Sequence, residues 1–82
     1  MVYTVYILYS VSRDRYYIGQ TEDLERRLEE HNSGYSKSTR SGILWELVFK
    51  REFRERSEAI RYEHTLKQME SRRYIEELIS TG

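Results

Sequence analysis

The sequence predicts an α+β domain, a three-stranded antiparallel sheet flanked by helices. Three observations predict it. Val2–Tyr9, Tyr16–Gly19 and Ile43–Phe53 are rich in β-branched and aromatic residues at strand spacing. The stretch around Asp23–Asn32 and the chain beyond Ser57 instead place apolar residues three and four apart, as helices do. The first two strands are joined by Ser12-Arg13-Asp14-Arg15, a polar connection of hairpin length, which makes that pair antiparallel. Helices covering such a sheet give a layered domain, and the expectation is one domain over residues 1–82.

In the first strand Val5 and Ile7 share one face, and Tyr6 and Leu8 share the other. Apolar residues on both faces indicate a central strand. Tyr16 to Gly19 forms its hairpin partner, and Gly19 allows either a close backbone approach or an unusual dihedral. Thr21 or Asp23 caps the first helix, whose start carries Glu22, Asp23 and Glu25 at the positive end of the dipole. Leu24 and Leu28 form its packing stripe, and Gly34 is its left-handed stop. The aperiodic run Ser33–Gly42 reads as a loop. The third strand is expected to present Trp45, Leu47, Phe49 and Phe53 on one face. Ser57 is expected to cap a helix with a core side of Ala59, Ile60, Tyr62, Leu66 and Met69; Ser71 caps a last one bearing Tyr74, Ile75, Leu78 and Ile79.

Composition narrows the function. Cysteine is absent, so disulfides and thiolate metal ligands are excluded. No apolar run approaches the roughly 20 residues of a membrane span, and the N-terminal residues lack signal-peptide order, so the expected location is cytoplasmic. Hydrophobic residues make up 38% and charged residues 34%, which implies a thin core. With 14 acidic and 14 basic residues the net charge is zero, against the cationic excess usual in nucleic-acid binders. Charge is nevertheless uneven: the first helix is acidic, while Lys37, Arg40, Lys50, Arg51, Arg54 and Arg56 outnumber the acids between positions 37 and 56. Lys37 and Arg40, on a hydroxyl-rich loop, suit phosphate contacts; a solubilising connection is the alternative.

Five side chains stand out. Glu63 projects from the core side of its helix, where a lone carboxylate must be paired, protonated or bound to a cation. Its structural alternative is a salt bridge to an arginine of the first helix, or an edge position leaning into water. Arg27 and His31 share a helical face with Leu24 and Leu28. Alone, they read as a surface cation paired to a neighbouring Glu and a helix-end cation near the negative dipole end. Tyr6 and Tyr17, on adjacent strands, read singly as core aromatics. Taken together, the five supply the parts of a phosphodiester-cleaving cluster. Other chemistries fit poorly: there is no thiol nucleophile, no glycine-flanked serine elbow and no Gly-rich phosphate loop. Zinc on His31, Glu63 and His64 needs three convergent ligands, yet His64 follows Glu63 and points about 100° away.

Val5-Tyr6, then Tyr17-Ile18-Gly19, then Arg27 and His31, then Glu63, resembles the GIY-YIG nuclease superfamily. Tyr17–Thr21, Asp23–Leu28, His31–Gly34, Arg56–Ala59, Leu66-Lys67 and Ser71–Glu76 extend the likeness to its small stand-alone bacterial branch. The resemblance implies a metal-dependent DNA endonuclease, a hydrolase, with DNA repair or recombination as its setting. Glu63 would be the one protein ligand of Mg²⁺ (or Mn²⁺), and Tyr6, with Tyr17, would take a proton from the attacking water. Arg27 would hold the scissile phosphate, and His31 would hydrogen-bond or relay for a tyrosine. DNA, branched or damaged, is the implied partner, with a protein partner or a homodimer supplying specificity that a neutral chain lacks. The alternative is a nucleic-acid-binding or protein-interaction module that keeps the fold without turnover. The first motif's glycine is Thr4 here, and the asparagine many members carry after the glutamate is missing, Asn32 being the only one.

Overall fold

The computed structural model describes residues 2–35, 37, 39–69 and 71–81. The elements run β1 (Tyr3–Ser10), β2 (Arg15–Thr21), α1 (Leu24–Asn32), a 3₁₀ turn (Arg40–Gly42), β3 (Trp45–Phe53), α2 (Arg56–Gln68) and α3 (Arg72–Thr81). The sheet has the order β2-β1-β3 with both pairings antiparallel. The central strand is the first one, as its two apolar faces require: Val5, Tyr6, Ile7 and Leu8 are all buried. Val5, Ile7, Ile18 and Phe49 meet Ala59, Leu66 and Ile75 of α2 and α3. Tyr6, Leu8 and Trp45 pack against Leu24 and Leu28 of α1. The sheet therefore lies between α1 on one face and α2 with α3 on the other.

The ends of the elements follow local chemistry. Asp23 is the N-cap of α1 and its carboxylate accepts the Arg26 N–H at 3.2 Å, while the Thr21 hydroxyl accepts the Asp23 N–H at 3.1 Å. Gly34, at φ 83°, follows the helix in the left-handed region. Ser71 accepts the Tyr74 N–H at the start of α3. The hairpin turn is fastened to α3, because Asp14 takes hydrogen bonds from the Tyr9 hydroxyl and the Arg72 guanidinium. Both hold the Asp14 carboxyl below its ordinary pKa, Arg72 more strongly.

Three expectations change. In β3 the register slips between Ile7 and Leu8, which pair with Phe49 and Leu47 and leave Val48 as an extra residue. An inserted residue reverses which face each side chain meets. Trp45 therefore joins Tyr6 and Leu8, while Phe49 and Phe53 stay with Val5 and Ile7. The four aromatic and aliphatic residues do not share one face. In α2 the helix starts at Arg56 with Glu55 as N-cap and no side-chain cap, so Ser57 lies inside the first turn; the Ala59 N–H bonds the Glu55 carbonyl instead. Ala59 and Leu66, seven residues apart and so nearly eclipsed, point into the core. Ile60, about 100° from Ala59, is exposed, as are Met69 at the helix end and, partly, Tyr74. The loop expected over Ser33–Gly42 holds a 3₁₀ turn and a buried Thr39; Ser36 and Ser38 lie outside the described residues.

Candidate active site

The site is built outward from Tyr6. Strand alternation turns its ring toward α1, and the sheet register sets it opposite Gly19. A Cβ on Gly19 would lie 2.6 Å from the Tyr6 Oη and 2.8 Å from its Cζ. That settles which of the two roles the glycine plays: it makes room for the phenol. The hydroxyl lies 3.0 Å from His31 Nε2, and His31 Nδ1 lies 2.7 Å from Thr39 Oγ1. The Thr39 carbonyl accepts the Trp45 indole N–H at 2.7 Å. Trp45 is locked in turn by Asn32, whose amide accepts the Trp45 backbone N–H at 2.6 Å and donates to the Trp45 carbonyl at 3.0 Å. Gly42 leaves space for the indole, since a Cβ there would fall 2.3 Å from Cζ2.

His31 is fully buried. Burial and then the neighbouring Arg27 charge push its pKa below the ordinary value, against a smaller pull from Glu30. It is a neutral, fully engaged imidazole rather than the helix-end cation that its position suggested. The Arg27 guanidinium, which can only donate, favours the charged form of Tyr6. In the tautomer with Tyr6 donating to Nε2, the ring proton sits on Nδ1 and is donated to Thr39. Burial raises the Tyr6 pKa to about 12 despite the opposing hydrogen bond and charge of Arg27, and Tyr17 and Glu63 add to the rise. Tyr6 is therefore a protonated phenol at neutral pH.

The other three residues surround this core. The Tyr17 ring meets His31 edge-on at 4.9 Å between centroids and lies 6.4 Å from the Tyr6 ring. Arg27, one turn before His31 on α1, is part-exposed and donates through Nη1 to Glu30 Oε1 at 3.0 Å. The surface pairing expected of it is present, and Glu30 thereby aims it. Glu63 comes from α2, on the other side of the sheet. Its charge makes the smallest of the contributions that raise the Tyr6 pKa. Its side chain is 18% exposed and pairs with Lys67 Nζ at 2.9 Å, a partner on its own helix and not an arginine of α1. Among the described residues no group of three or more His, Asp and Glu side chains converges as a metal cage. A metal here would have one protein carboxylate, Glu63, which in the structure pairs with the Lys67 ammonium. Lys37 and Arg40 are exposed on the loop behind His31. Arg40 Nε donates to the Gly34 carbonyl at 3.1 Å, and among the described residues no hydrogen bond or ion pair joins either cation to the five. Thr39, Trp45, Asn32 and Glu30 escaped sequence reasoning. Only Glu30 left a trace, as an acid three residues from Arg27.

The GIY-YIG catalytic domain model matches residues 2–75. The chain belongs to the GIY-YIG family. Among relatives, a UPF0213 protein of Halobacterium salinarum is 39% identical over 66 residues, 79% of this chain and 84% of that one. A UPF0213 protein of Halalkalibacterium halodurans is 38% identical over 81 residues, 98% of this chain and 84% of the relative. The solution NMR structure of the UPF0213 protein from Bacillus halodurans superposes with a TM-score of 0.62 at 38% identity, covering 99% of this chain and 85% of the other. GIY-YIG domains form a nuclease superfamily, and the three-stranded antiparallel sheet with its helices agrees with that membership. Among the described residues no helix is long and apolar enough to cross a membrane.

Proposed function

We propose that this GIY-YIG domain is a divalent-metal-dependent DNA endonuclease that hydrolyses a phosphodiester bond with an activated water. The observation that carries the reading is the buried Tyr6 hydroxyl, seated 3.0 Å from His31 Nε2, with Arg27 one helical turn before that histidine. With a pKa of about 12, Tyr6 is not a free phenolate at neutral pH. It serves as a relay: its oxygen takes the proton of the attacking water as its own proton passes to Nε2. Thr39 holds the imidazole in the tautomer that leaves Nε2 free to accept. Tyr17, against both rings, shapes the pocket and shares the contact to the water. Arg27 holds the scissile phosphate and spreads the charge that grows on it. As phosphate enters, the Glu30 carboxylate cedes part of Arg27 to it.

Glu63 fits a hydrated Mg²⁺ or Mn²⁺, which takes one or two carboxylates and completes its shell with water and phosphate oxygen. Bound there, the ion supplies Lewis-acid stabilisation of the departing 3′-oxygen. Lys37 and Arg40 contact the flanking backbone. A neutral chain binds DNA weakly and with marked salt dependence, so a protein partner, a second copy or a branched or damaged substrate of the kind met in DNA repair supplies the rest.

Incubation with branched, nicked and plain duplex DNA, with Mg²⁺ or with chelator, tests this. Cutting that needs the metal and disappears in Tyr6→Phe supports the endonuclease. Binding without cutting supports a nucleic-acid-binding module, the reading favoured by the missing asparagine after Glu63.

A further inference from the structure

His31 is held by contacts that close on themselves, and Trp45 is where they join. His31 Nδ1 lies 2.7 Å from Thr39 Oγ1, and the Thr39 carbonyl accepts the Trp45 indole N–H at 2.7 Å. The Trp45 backbone is gripped at its N–H and its carbonyl by the Asn32 side chain, at 2.6 Å and 3.0 Å. Asn32 follows His31 directly as the last residue of α1. Trp45 therefore ties the loop that carries Thr39 to the helix that carries His31. Its ring also meets Tyr17 edge-on at 6.1 Å between centroids, and Tyr17 in turn meets His31.

A buried indole N–H generally finds an acceptor, and that alone would account for its bond to Thr39. Two observations ask for more. The Thr39 carbonyl already accepts the Gly42 N–H at 3.1 Å within the 3₁₀ turn, so the indole supplies a second bond, one that fixes direction rather than satisfying an empty acceptor. Gly42 is bare where the N–H edge of the indole passes: a Cβ there would fall 2.7 Å from Cε2, the carbon bonded to Nε1. We infer that Trp45 is a positioning residue for the Tyr6–His31 pair: through Thr39 it fixes the imidazole with its proton on Nδ1, which leaves Nε2 to accept from Tyr6. The two neutral forms of the ring differ only in which nitrogen carries the proton, and the hydrogen bond made at one nitrogen decides the state of the other. With Thr39 turned away, the form protonated at Nε2 gains, and that form donates to the Tyr6 oxygen instead of accepting from it. This deepens the nuclease reading, on which the proton relay rests, but the state of His31 is measurable without turnover.

Trp45 is the only tryptophan in the chain, so biosynthetic replacement changes this ring and no other. Benzothienylalanine keeps the ring shape and carries sulfur in place of the N–H; fluorotryptophan keeps the N–H. The His31 ring nitrogens are followed by long-range proton–nitrogen NMR, with His64, exposed on α2, as internal reference. The native and fluorinated proteins should both show a protonated Nδ1 and a bare Nε2. The sulfur analogue should move both His31 signals toward a mixture of the two forms, and DNA cleavage should slow by roughly tenfold to a hundredfold. Asn32→Ala, at a part-buried position, loosens the same link while keeping the indole, and should move the signals the same way by less. Moved nitrogens with no cleavage of any DNA by the native protein would uphold the role of Trp45 and overturn the nuclease reading. A native protein protonated at Nε2, or nitrogens unmoved by both the sulfur analogue and Asn32→Ala, would overturn the role of Trp45 even where the native protein cuts DNA.

Discussion

Gly19→Ala puts one methyl group where the structure has no room for it. The new Cβ would sit 2.6 Å from the Tyr6 hydroxyl oxygen, 2.8 Å from Cζ and 3.2 Å from Tyr17 Cε1. Tyr6 is on the central strand, 1% exposed, with its hydroxyl anchored at His31, so the ring has no free direction in which to yield. Overpacking of this kind costs about 1–3 kcal/mol, and pulling the phenol off His31 adds about 1 kcal/mol for the lost buried hydrogen bond. Each kcal/mol lowers the melting temperature of a domain this size by roughly 4–8 °C, so a fall of about 10–30 °C is expected in circular-dichroism melts. Cleavage should fall further than folding, by on the order of a hundredfold under conditions where the variant is folded, since a misplacement near 1 Å is enough for that. Adding Tyr6→Phe removes the closest clashing atom, so the double variant should be more stable than the sum of the two single losses. A Gly19→Ala protein that melts like the wild type, or a double variant showing no coupling, would refute the claim that this glycine exists to seat the phenol.

The remaining predictions concern His31 and Arg27. Because the folded state holds His31 neutral, with a pKa below the unfolded value of about 6.5, the unfolded chain binds more protons through that window. Stability should be complete above about pH 7 and decline as pH falls through roughly 6.5 and below. His31→Gln should flatten that part of a melting-temperature series; an unchanged slope would show that another group is responsible. Arg27→Lys keeps the charge but loses the planar fork. Chemical denaturation should change by no more than about 1 kcal/mol, because Lys keeps a charge beside Glu30 at this part-exposed position, while cleavage drops by roughly a hundredfold or more, the scale for losing one preorganised donor.

What the sequence made legible was set by short-range periodicity. Alternation put Tyr6 on one strand face and the Leu24–Leu28 spacing put Arg27 and His31 on one helix face, while the flanking of Glu63 by Ala59 and Leu66 marked it as core-side; that the strand face meets the helix face was not in the periodicity. The extra residue at Val48 was not legible, because a bulge is decided by which register buries more, and every residue of β3 after it reads equally well on either face. The shell behind His31 was hidden for a different reason. Thr39 sits among serines and threonines that look alike, and its bond to Nδ1 depends on how the loop returns over α1. Asn32 and Trp45 are 13 residues apart and joined through backbone atoms, which leave no side-chain pattern to read. Lys67 was within reach of sequence reasoning: a Glu followed four residues later by Lys on one helix is a standard pair.

The account stands most directly on Glu63. Single-turnover cleavage should be measured across a Mg²⁺ titration for the wild type and Glu63→Ala, with DNA binding followed by fluorescence anisotropy in the same samples. The expected outcome is a wild-type rate that saturates with Mg²⁺ and a variant slower by on the order of a hundredfold to a thousandfold at nearly unchanged DNA affinity. A variant that cuts at the wild-type rate, or a wild type whose cutting ignores the metal, would contradict it.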